Sequence, residues 1–234
     1  MTITASTILD MPYGSLHTRY HETEHGDCLS LTAGDPGGLS PLLVRLHSAC
    51  LFGEAIGSTA CECGPQLAAA MRVICEAGRG VIIYLFQEGR GVGLRDKIRA
   101  LDIQRRQGLD TVAAMHTLGH DPDPRSYEVA IVALADLRAP AMIRLMSNNP
   151  RKQAALTQGG YEIVERVALS YTLSPEAVVD LQNRVALLGH SVDFGRLTVQ
   201  MTGDTCQTGG FGLDGQVVQT HATVVDKPPM SERT

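Results

Sequence analysis

The segment from Cys50 to Cys63, CLFGEAIGSTACEC, carries the residues best suited to chemistry. Cys61 and Cys63 are one residue apart, and Cys50 precedes them in the same segment. Gly53 and Gly57 let the intervening chain fold back, so the three thiols can converge on one soft metal ion. Thiolate ligands and tetrahedral geometry suit zinc, and three protein ligands leave a corner for water, whose pKa zinc lowers toward neutrality. The segment therefore predicts a catalytic zinc site.

Two alternatives stay open for this segment. His47, just before Cys50, could supply a fourth ligand, which would make the site purely structural. The three cysteines could also be free buried thiols. The isolated cysteines Cys28, Cys75 and Cys206 are interpreted as buried or incidental thiols.

A glycine-rich turn, QEGRGVG, begins at Gln87 and leads into a helix rich in Arg and Lys. Such a turn presents backbone N–H groups to an anion, and Arg90, Arg95, Lys97 and Arg99 add positive charge. Phosphate is the expected ligand of this turn. The alternative is an ordinary tight turn followed by a solvated basic helix.

Two later loops carry further candidates. In HDPDPRSY, prolines restrain the backbone around Asp123 and Arg125, which could act as proton acceptor and phosphate clamp. The alternative for this pair is a surface ion pair. In SNNPRK, Ser147 and the start of the next helix could cap a phosphate, with Lys152 one turn into that helix.

Strands that alternate with helices predict an α/β fold. Two early strands are expected between residues 12 and 34, followed by a strand at 42–47, a helix after Gly64-Pro65 that stops at Gly78, and a strand at 81–86 buried on both faces. Later elements are a helix at 126–137, the strands MIRLMS and YEIVERV, and helices that begin at Asn149-Pro150 and Ser174-Pro175, the last ending near His190.

Composition restricts the class of protein. The chain has 234 residues, 44% hydrophobic and 19% charged, with a net charge of -5. This acidic balance disfavours a nucleic-acid surface and favours a small-molecule partner. No apolar run could span a bilayer and no leader pattern is present, so we expect no membrane association and a cytoplasmic protein. From residue 191 the pattern changes to an appended extension, which is interpreted either as a flexible segment or as a short strand that pairs with a neighbour, and VVQTHATVV is the one piece with strand character.

Taken in order, these motifs resemble the GTP cyclohydrolase II family of riboflavin synthesis. The residues that carry the resemblance are RLHSAC, CECGPQL, QEGRGVGLRDKIRA, QGLDTV, DPDPR and SNNPRK, and it extends from about Leu9 to His190. The resemblance implies a catalytic domain at 1–190 with mixed sheets and flanking helices, followed by an extension at 191–234. It also implies a homodimer.

The family's roles transfer by position. Cys50, Cys61 and Cys63 match the zinc ligands, Asp123 the proton acceptor, and Arg125 the arginine that acts at the α-phosphate, as nucleophile or clamp. The residues that match nucleotide contacts are Arg45, Gln66, Glu88, Gly89, Arg90, Thr111, Ser147 and Lys152. The implied reaction opens the guanine ring of GTP with Mg²⁺ on the triphosphate, and yields formate, diphosphate and a diamino-ribosylamino-pyrimidinone phosphate.

The chain also departs from the family pattern. Ala49 replaces a usual Glu, Leu101 stands where a Tyr is usual, and Ala113 and Met115 replace a Glu and an Asn. Because the missing phenol could orient a water or the formyl intermediate, a divergent paralogue could release a formylated pyrimidine or act on another purine nucleotide. A non-catalytic, zinc-stabilised nucleotide-binding protein is the third possibility.

Overall fold

The structure is a computed structural model, and it describes residues 2–38, 41–192, 197–200, 206–207, 209–211 and 217–219. Most of the extension expected from residue 191 lies outside these ranges, so its flexible character and the domain boundary stay predictions. Within the described ranges, no helix has both the length and the apolar character needed to cross a membrane.

A seven-stranded mixed sheet forms the centre of the fold. Its strands are β1 (Thr2–Met11), β2 (Gly14–Thr23), β3 (Gly26–Ala33), β4 (Leu42–Ser48), β5 (Gly80–Leu85), β6 (Met142–Leu145) and β7 (Glu162–Arg166). They lie in the order β1-β2-β3-β5-β4-β6-β7. β1, β2, β3 and β5 pair antiparallel, whereas β5, β4, β6 and β7 pair parallel. Parallel neighbours need long crossovers, and helices provide them.

Helices lie on both faces of this sheet. They are α1 (Leu51–Glu54), α2 (Cys63–Glu76), α3 (Gly93–Gln107), α4 (Thr111–Thr117), α5 (Glu128–Asp136), α6 (Pro150–Gln158) and α7 (Pro175–Leu188), with a 3₁₀ turn at Glu88–Gly91. Ile82 of β5 packs with Ile74 of α2 on one face, and Ile83 packs with Leu134 of α5 on the other. Each of these side chains is fully buried, which contributes about 1.5–3 kcal/mol per side chain.

The parallel half of the sheet decides where a site can form. β4, β5 and β6 all end at the same edge, so the segments that follow them meet there. Cys50 follows β4, Glu88 follows β5 and Ser147 follows β6. Ligands in open α/β sheets bind outside the carboxyl ends of the strands, and this edge is that location.

Most predicted elements are confirmed, including the strand buried on both faces. Its last predicted residue, Phe86, lies beyond β5 and is exposed. Side-chain caps form where the sequence indicates helix starts: Asn149 Oδ1 accepts from the Arg151 N–H at 2.8 Å, and Ser174 Oγ accepts from the Ala177 N–H at 3.0 Å. The short strand at Thr172–Leu173, β1, α1 and α4 were not predicted from the sequence.

Short strands beyond α7 correct one expectation about the extension. VVQTHATVV is not its only piece with strand character, although β12 (Val217–Gln219) does lie in it and pairs with β11 (Gly209–Phe211). A separate three-stranded sheet joins β8 (Thr172–Leu173), β9 (Thr198–Gln200) and β10 (Cys206–Gln207). Leu197 and Val199 belong to the same apolar cluster as α7, so burial against the helix supplies the stability that so short a strand lacks by itself.

Candidate active site

The three predicted thiol ligands come together at this edge. Cys50 directly precedes α1, Cys63 is the first residue of α2, and Cys61 lies in the loop between them. Cys50 Sγ is 3.6 Å from Cys61 Sγ, and all three sulfur atoms lie within 4.8 Å of one another. Sulfur ligands at about 2.3 Å from a tetrahedral zinc are about 3.8 Å apart. The cluster therefore has the spacing to hold a metal ion.

Gly53 makes this convergence possible. A Cβ at this position would lie 2.7 Å from Cys61 Sγ, 3.3 Å from Cys63 Cβ and 3.5 Å from Cys50 Sγ. The backbone of α1 thus packs directly against the three cysteine side chains, which leaves no space for a side chain at Gly53.

The carboxylate of Glu54 holds the backbone at Cys50 in place through hydrogen bonds. Glu54 Oε1 accepts from the Cys50 N–H at 2.9 Å and from His47 Nε2 at 2.9 Å, and the Tyr84 hydroxyl donates to Oε2 at 2.5 Å. The other ring nitrogen of His47 accepts from Arg45 Nε at 3.3 Å. Burial lowers the pKa of His47 to about 4, so its ring is neutral. With both nitrogens engaged, His47 is not a fourth metal ligand but a positioning group.

Lys97 connects the thiols to the turn after β5. Its Nζ donates to Cys50 Sγ at 3.2 Å and to Glu88 Oε1 at 2.6 Å, while Glu88 Oε2 accepts from the Leu51 N–H at 2.7 Å. Hydrogen bonds from Cys61 and Cys63, assisted by Lys97, hold the pKa of the Cys50 thiol well below its ordinary value. Hydrogen bonding to Cys50 instead raises the pKa of Cys61 to about 11. The contact from Lys97 thus favours the thiolate form of Cys50.

The glycine-rich turn contains two consecutive residues in the left-handed backbone conformation. Gly89 and Arg90 have φ values of 63° and 61°, in the left-handed region. A Cβ on Gly89 would also approach Lys97 Cβ to 3.0 Å. For Arg90 this conformation costs on the order of 1–3 kcal/mol, and such strain concentrates at functional sites. Phosphate binding by this turn stays a prediction.

Asp123 and Arg125 form a buried bidentate pair. Arg125 Nε donates to Asp123 Oδ1 at 2.6 Å and its NH2 group donates to Oδ2 at 2.8 Å. The Asp123 residue is 3% exposed, so the surface-pair alternative is wrong. Burial raises the pKa of Asp123, but hydrogen bonds and charge from Arg125 outweigh it and keep that pKa below its ordinary value. Arg125 NH1 also reaches Ser48 Oγ at 3.3 Å, which ties the pair to the end of β4.

Two further cations are held by neutral acceptors. Arg45 NH1 donates to the Met146 carbonyl at 2.8 Å, and its NH2 group donates to Gln66 Oε1 at 2.7 Å. Lys152 Nζ donates to the Leu46 carbonyl at 2.8 Å. Burial lowers the pKa of Lys152 well below its ordinary value. Because neither cation has a carboxylate partner at hydrogen-bond distance among the described residues, both remain available to an anionic ligand.

One pocket brings nearly all the predicted site residues together. The predicted residues that line it are Cys50, Cys61, Cys63, Arg45, Gln66, Glu88, Gly89, Arg90, Thr111, Arg125, Ser147 and Lys152. Asp123 lies directly behind Arg125 instead. Three positions that depart from the family pattern also face this pocket: Ala49, Leu101 and Met115. These three departures, unlike Ala113, therefore lie where they can affect a ligand.

Several residues of this pocket are not among those predicted from the sequence. Asp180, Arg184 and His190 reach it from α7 and the turn beyond. Arg184 pairs with Glu62, a fully buried residue that separates Cys61 from Cys63 in the sequence. No local pattern marks Arg184, because its partner is distant along the chain, and the Gly189-His190 step indicated only the end of a helix.

Comparisons with known proteins identify the family of this chain. A family model described as GTP cyclohydrolase II matches residues 3–168. A GTP cyclohydrolase-2 from Hahella chejuensis is 43% identical over 192 residues, which covers 81% of this chain and 92% of the relative. A GTP cyclohydrolase-2 from Pseudomonas syringae is 46% identical over 160 residues, covering 68% and 77% respectively. A riboflavin biosynthesis protein RibBA from Bacillus cytotoxicus is 43% identical over 184 residues, and the match covers 78% of this chain but only 46% of that protein. The chain thus spans about half the length of the RibBA relatives.

Proposed function

The chain belongs to the GTP cyclohydrolase II family, and we propose that it opens the guanine imidazole ring of GTP and releases formate and diphosphate. The product would be a diamino-ribosylamino-pyrimidinone phosphate, an intermediate of riboflavin synthesis. The observation that carries the proposal is the convergence of three thiols and the Asp123–Arg125 pair on one pocket. Relatives named GTP cyclohydrolase-2 support it.

Zinc is the proposed resident metal, held by Cys50, Cys61 and Cys63. The sulfur spacing fits a tetrahedral thiolate site, and an all-thiolate donor set favours zinc over harder cations. When bound with an open position, zinc supplies a water activated near neutral pH. Lys97 would offset part of the negative charge of the thiolates through its contact with Cys50.

Asp123 and Arg125 would act as a coupled pair. The Asp123 carboxylate is ionised near neutral pH and can accept a proton, but Arg125 engages both of its oxygens. In this proposal Arg125 turns toward the α-phosphate when the nucleotide binds. That movement would release the carboxylate, raise its basicity and place a guanidinium on the phosphate. Clamping is the easier role for Arg125, since a guanidinium stays protonated at neutral pH and is a poor nucleophile.

The remaining predicted contacts divide by chemistry. Arg90 and Lys152 are cations suited to phosphate oxygens, whereas Gln66, Glu88 and Thr111 offer hydrogen-bonding groups for the base and ribose. Mg²⁺ would accompany the triphosphate and neutralise its charge. A homodimer and a cytoplasmic location stay predictions from the sequence.

One observation favours a second reaction outcome, in which the product keeps the formyl group. Leu101 lines the pocket at the position where the family usually has a Tyr, and no tyrosine lines this pocket among the described residues. If the missing hydroxyl orients the second hydrolysis, the protein would release diphosphate and retain the formyl group on the pyrimidine. The position would then determine the product, while ring opening itself stays intact.

The test is to incubate the zinc-loaded protein with GTP and Mg²⁺ and to quantify formate, diphosphate and product mass. Stoichiometric formate and diphosphate are expected, and would exclude the formylated product. Diphosphate without formate would support the role assigned to Leu101. Unchanged GTP would refute the proposal, and would point to another purine nucleotide or to a binding role. Loss of product with Asp123→Asn but not with the exposed Asp102→Asn would assign the chemistry to this pocket.

A further inference from the structure

We propose that α7 and the turn after it form a phosphate-binding wall of the pocket, in which Arg184 and His190 donate to the phosphate chain of the nucleotide. This inference rests on the proposed function, because it names which end of a nucleotide these residues would bind. Both residues lie beyond the range 3–168 that the family model matches. They would thus add to the contacts that the family pattern predicts.

The end of α7 is fixed against the pocket. Gly189 ends the helix with a φ of 67°, which turns the chain back toward the pocket. The His190 N–H then donates to the Arg184 carbonyl at 3.2 Å, and the Ser191 N–H donates to the Asn148 carbonyl at 3.0 Å. The second contact joins this turn to the loop between β6 and α6. These two hydrogen bonds therefore hold residue 190 in a defined position.

His190 is a buried polar group without a protein partner at one ring nitrogen. The residue is 8% exposed and lines the pocket. Its Nδ1 has no hydrogen-bond partner within the described part of the chain. A buried, unsatisfied polar atom costs about 1–3 kcal/mol. A ligand that supplied a hydrogen-bond partner would remove this cost.

Arg184 is anchored at one guanidinium nitrogen and, among the described residues, unpaired at another. Its NH2 group donates to Glu62 and to Asp180 Oδ2, which fixes the guanidinium between two carboxylates. Its Nε is buried and has no hydrogen-bond partner in the described ranges. The side chain also lines the pocket. An anchored guanidinium with a free N–H is preorganised for an oxygen acceptor, because little side-chain entropy is lost on binding.

The charge around His190 favours an anion. Burial lowers the pKa of His190 to about 4, assisted in order by Arg184, Arg125, Lys152 and Arg90. These four cations come from α7, the DPDPR loop, α6 and the turn after β5, and each lines the same pocket. Arg184 and Arg125 are already paired with carboxylates, whereas Lys152 and Arg90 have no carboxylate at hydrogen-bond distance among the described residues. A polyanion that enters the pocket therefore meets uncompensated positive charge, and the neutral imidazole can donate a ring N–H to one of its oxygens. A triphosphate is the part of a purine nucleotide that matches this charge.

A purely structural role is the competing interpretation for Arg184. Its pairing with Glu62 connects α7 to the segment between Cys61 and Cys63, so the pair could serve only to position that segment. That role predicts effects on metal binding or stability but none that depend on phosphate. The two roles are therefore separable by the choice of ligand.

The experiment compares inorganic tripolyphosphate with guanosine, each titrated by calorimetry into the full chain. His190→Leu removes both ring nitrogens at similar volume, and Arg184→Lys keeps a charge for Glu62 but loses the Nε donor. We expect the Kd for tripolyphosphate to rise about tenfold or more in each variant, equivalent to about 1.4 kcal/mol. The Kd for guanosine should not change. His116→Leu is the matched control, since His116 is exposed and does not line the pocket.

Thermal melting of each variant checks that α7 stays folded. Unchanged tripolyphosphate affinity in both variants would overturn the proposal, and so would an equal loss for guanosine, which would indicate a displaced wall. Because no turnover is measured, the phosphate subsite can be supported even if GTP is not hydrolysed. Conversely, ring opening with normal tripolyphosphate binding in both variants would refute the subsite and leave the proposed function intact.

Discussion

The Gly53→Ala variant tests whether the packing of α1 sets the spacing of the metal ligands. The new Cβ would lie 2.7 Å from Cys61 Sγ, whereas ordinary contact begins at 3.4 Å. Cys61 or the α1 backbone must therefore move by about 0.7 Å, the difference between these two distances. Metal–ligand distances tolerate only about 0.2 Å of change. The required movement exceeds this tolerance several times.

The expected result is a loss of metal affinity on the order of 10–100-fold, as for groups that orient metal ligands. Zinc affinity is measured by competition with a chromophoric chelator, and the stability of the metal-free protein by urea denaturation. Strain in the core should cost about 1–3 kcal/mol. Gly159→Ala is the matched control, because its Cβ would lie 2.7 Å from Ile131 Cδ1, which belongs to a different region. The control should lose comparable stability and keep its zinc affinity.

Zinc affinity that is unchanged in Gly53→Ala would refute this reasoning. It would mean that the thiol spacing adjusts without cost, or that the thiols do not hold the metal. Equal affinity losses in both variants would instead assign the effect to general destabilisation. Only a loss confined to Gly53→Ala supports the assigned geometry.

Three further outcomes are expected. Asp123→Asn should lower kcat by at least about a hundredfold with metal content unchanged, as measured by formate release and metal analysis; unchanged kcat would remove Asp123 from the chemistry. Between pH 6.5 and about 4 the unfolded chain binds a proton at His47 that the folded chain, in which His47 is buried, does not bind. The contribution of His47 to the free energy of unfolding is therefore complete above pH 6.5 and falls by up to about 3 kcal/mol toward pH 4. His47→Gln should flatten this pH dependence, measured by urea denaturation, and an unaltered slope would contradict the assignment. Lys152→Met removes a buried amine that donates to the neutral Leu46 carbonyl and has no carboxylate at hydrogen-bond distance among the described residues, so the metal-free protein should be at least as stable while its Kd for GTP rises about tenfold. Tight GTP binding by this variant would exclude a phosphate contact.

Local patterns predicted much of the fold because they act over a few residues. The buried run of β5 and the caps Asn149 and Ser174 needed no distant partner to be recognised. β1 was missed since it lies at the sheet edge, where Ile8 is 66% exposed and the alternation of burial is weak. The helices α1 and α4 were missed because four and seven residues are too few to show a helical period.

The amino-acid sequence by itself determined which groups this protein can use. The thiols of Cys50, Cys61 and Cys63 lie within one short segment, and Asp123 and Arg125 are one residue apart, so chain connectivity alone keeps each set close. Ordered motifs of this kind were enough to identify the family.

Only the tertiary structure decided how these groups are arranged and which others join them. It made His47 a partner of Glu54 and Arg45 instead of a metal ligand, and it brought Arg184 beside Glu62 across 122 positions of the chain. The physical reason is that parallel strands align their carboxyl ends, so segments far apart in sequence share one edge of the sheet. Burial then determines the charge states of the groups enclosed there. Neither effect can be predicted from any single segment of the sequence.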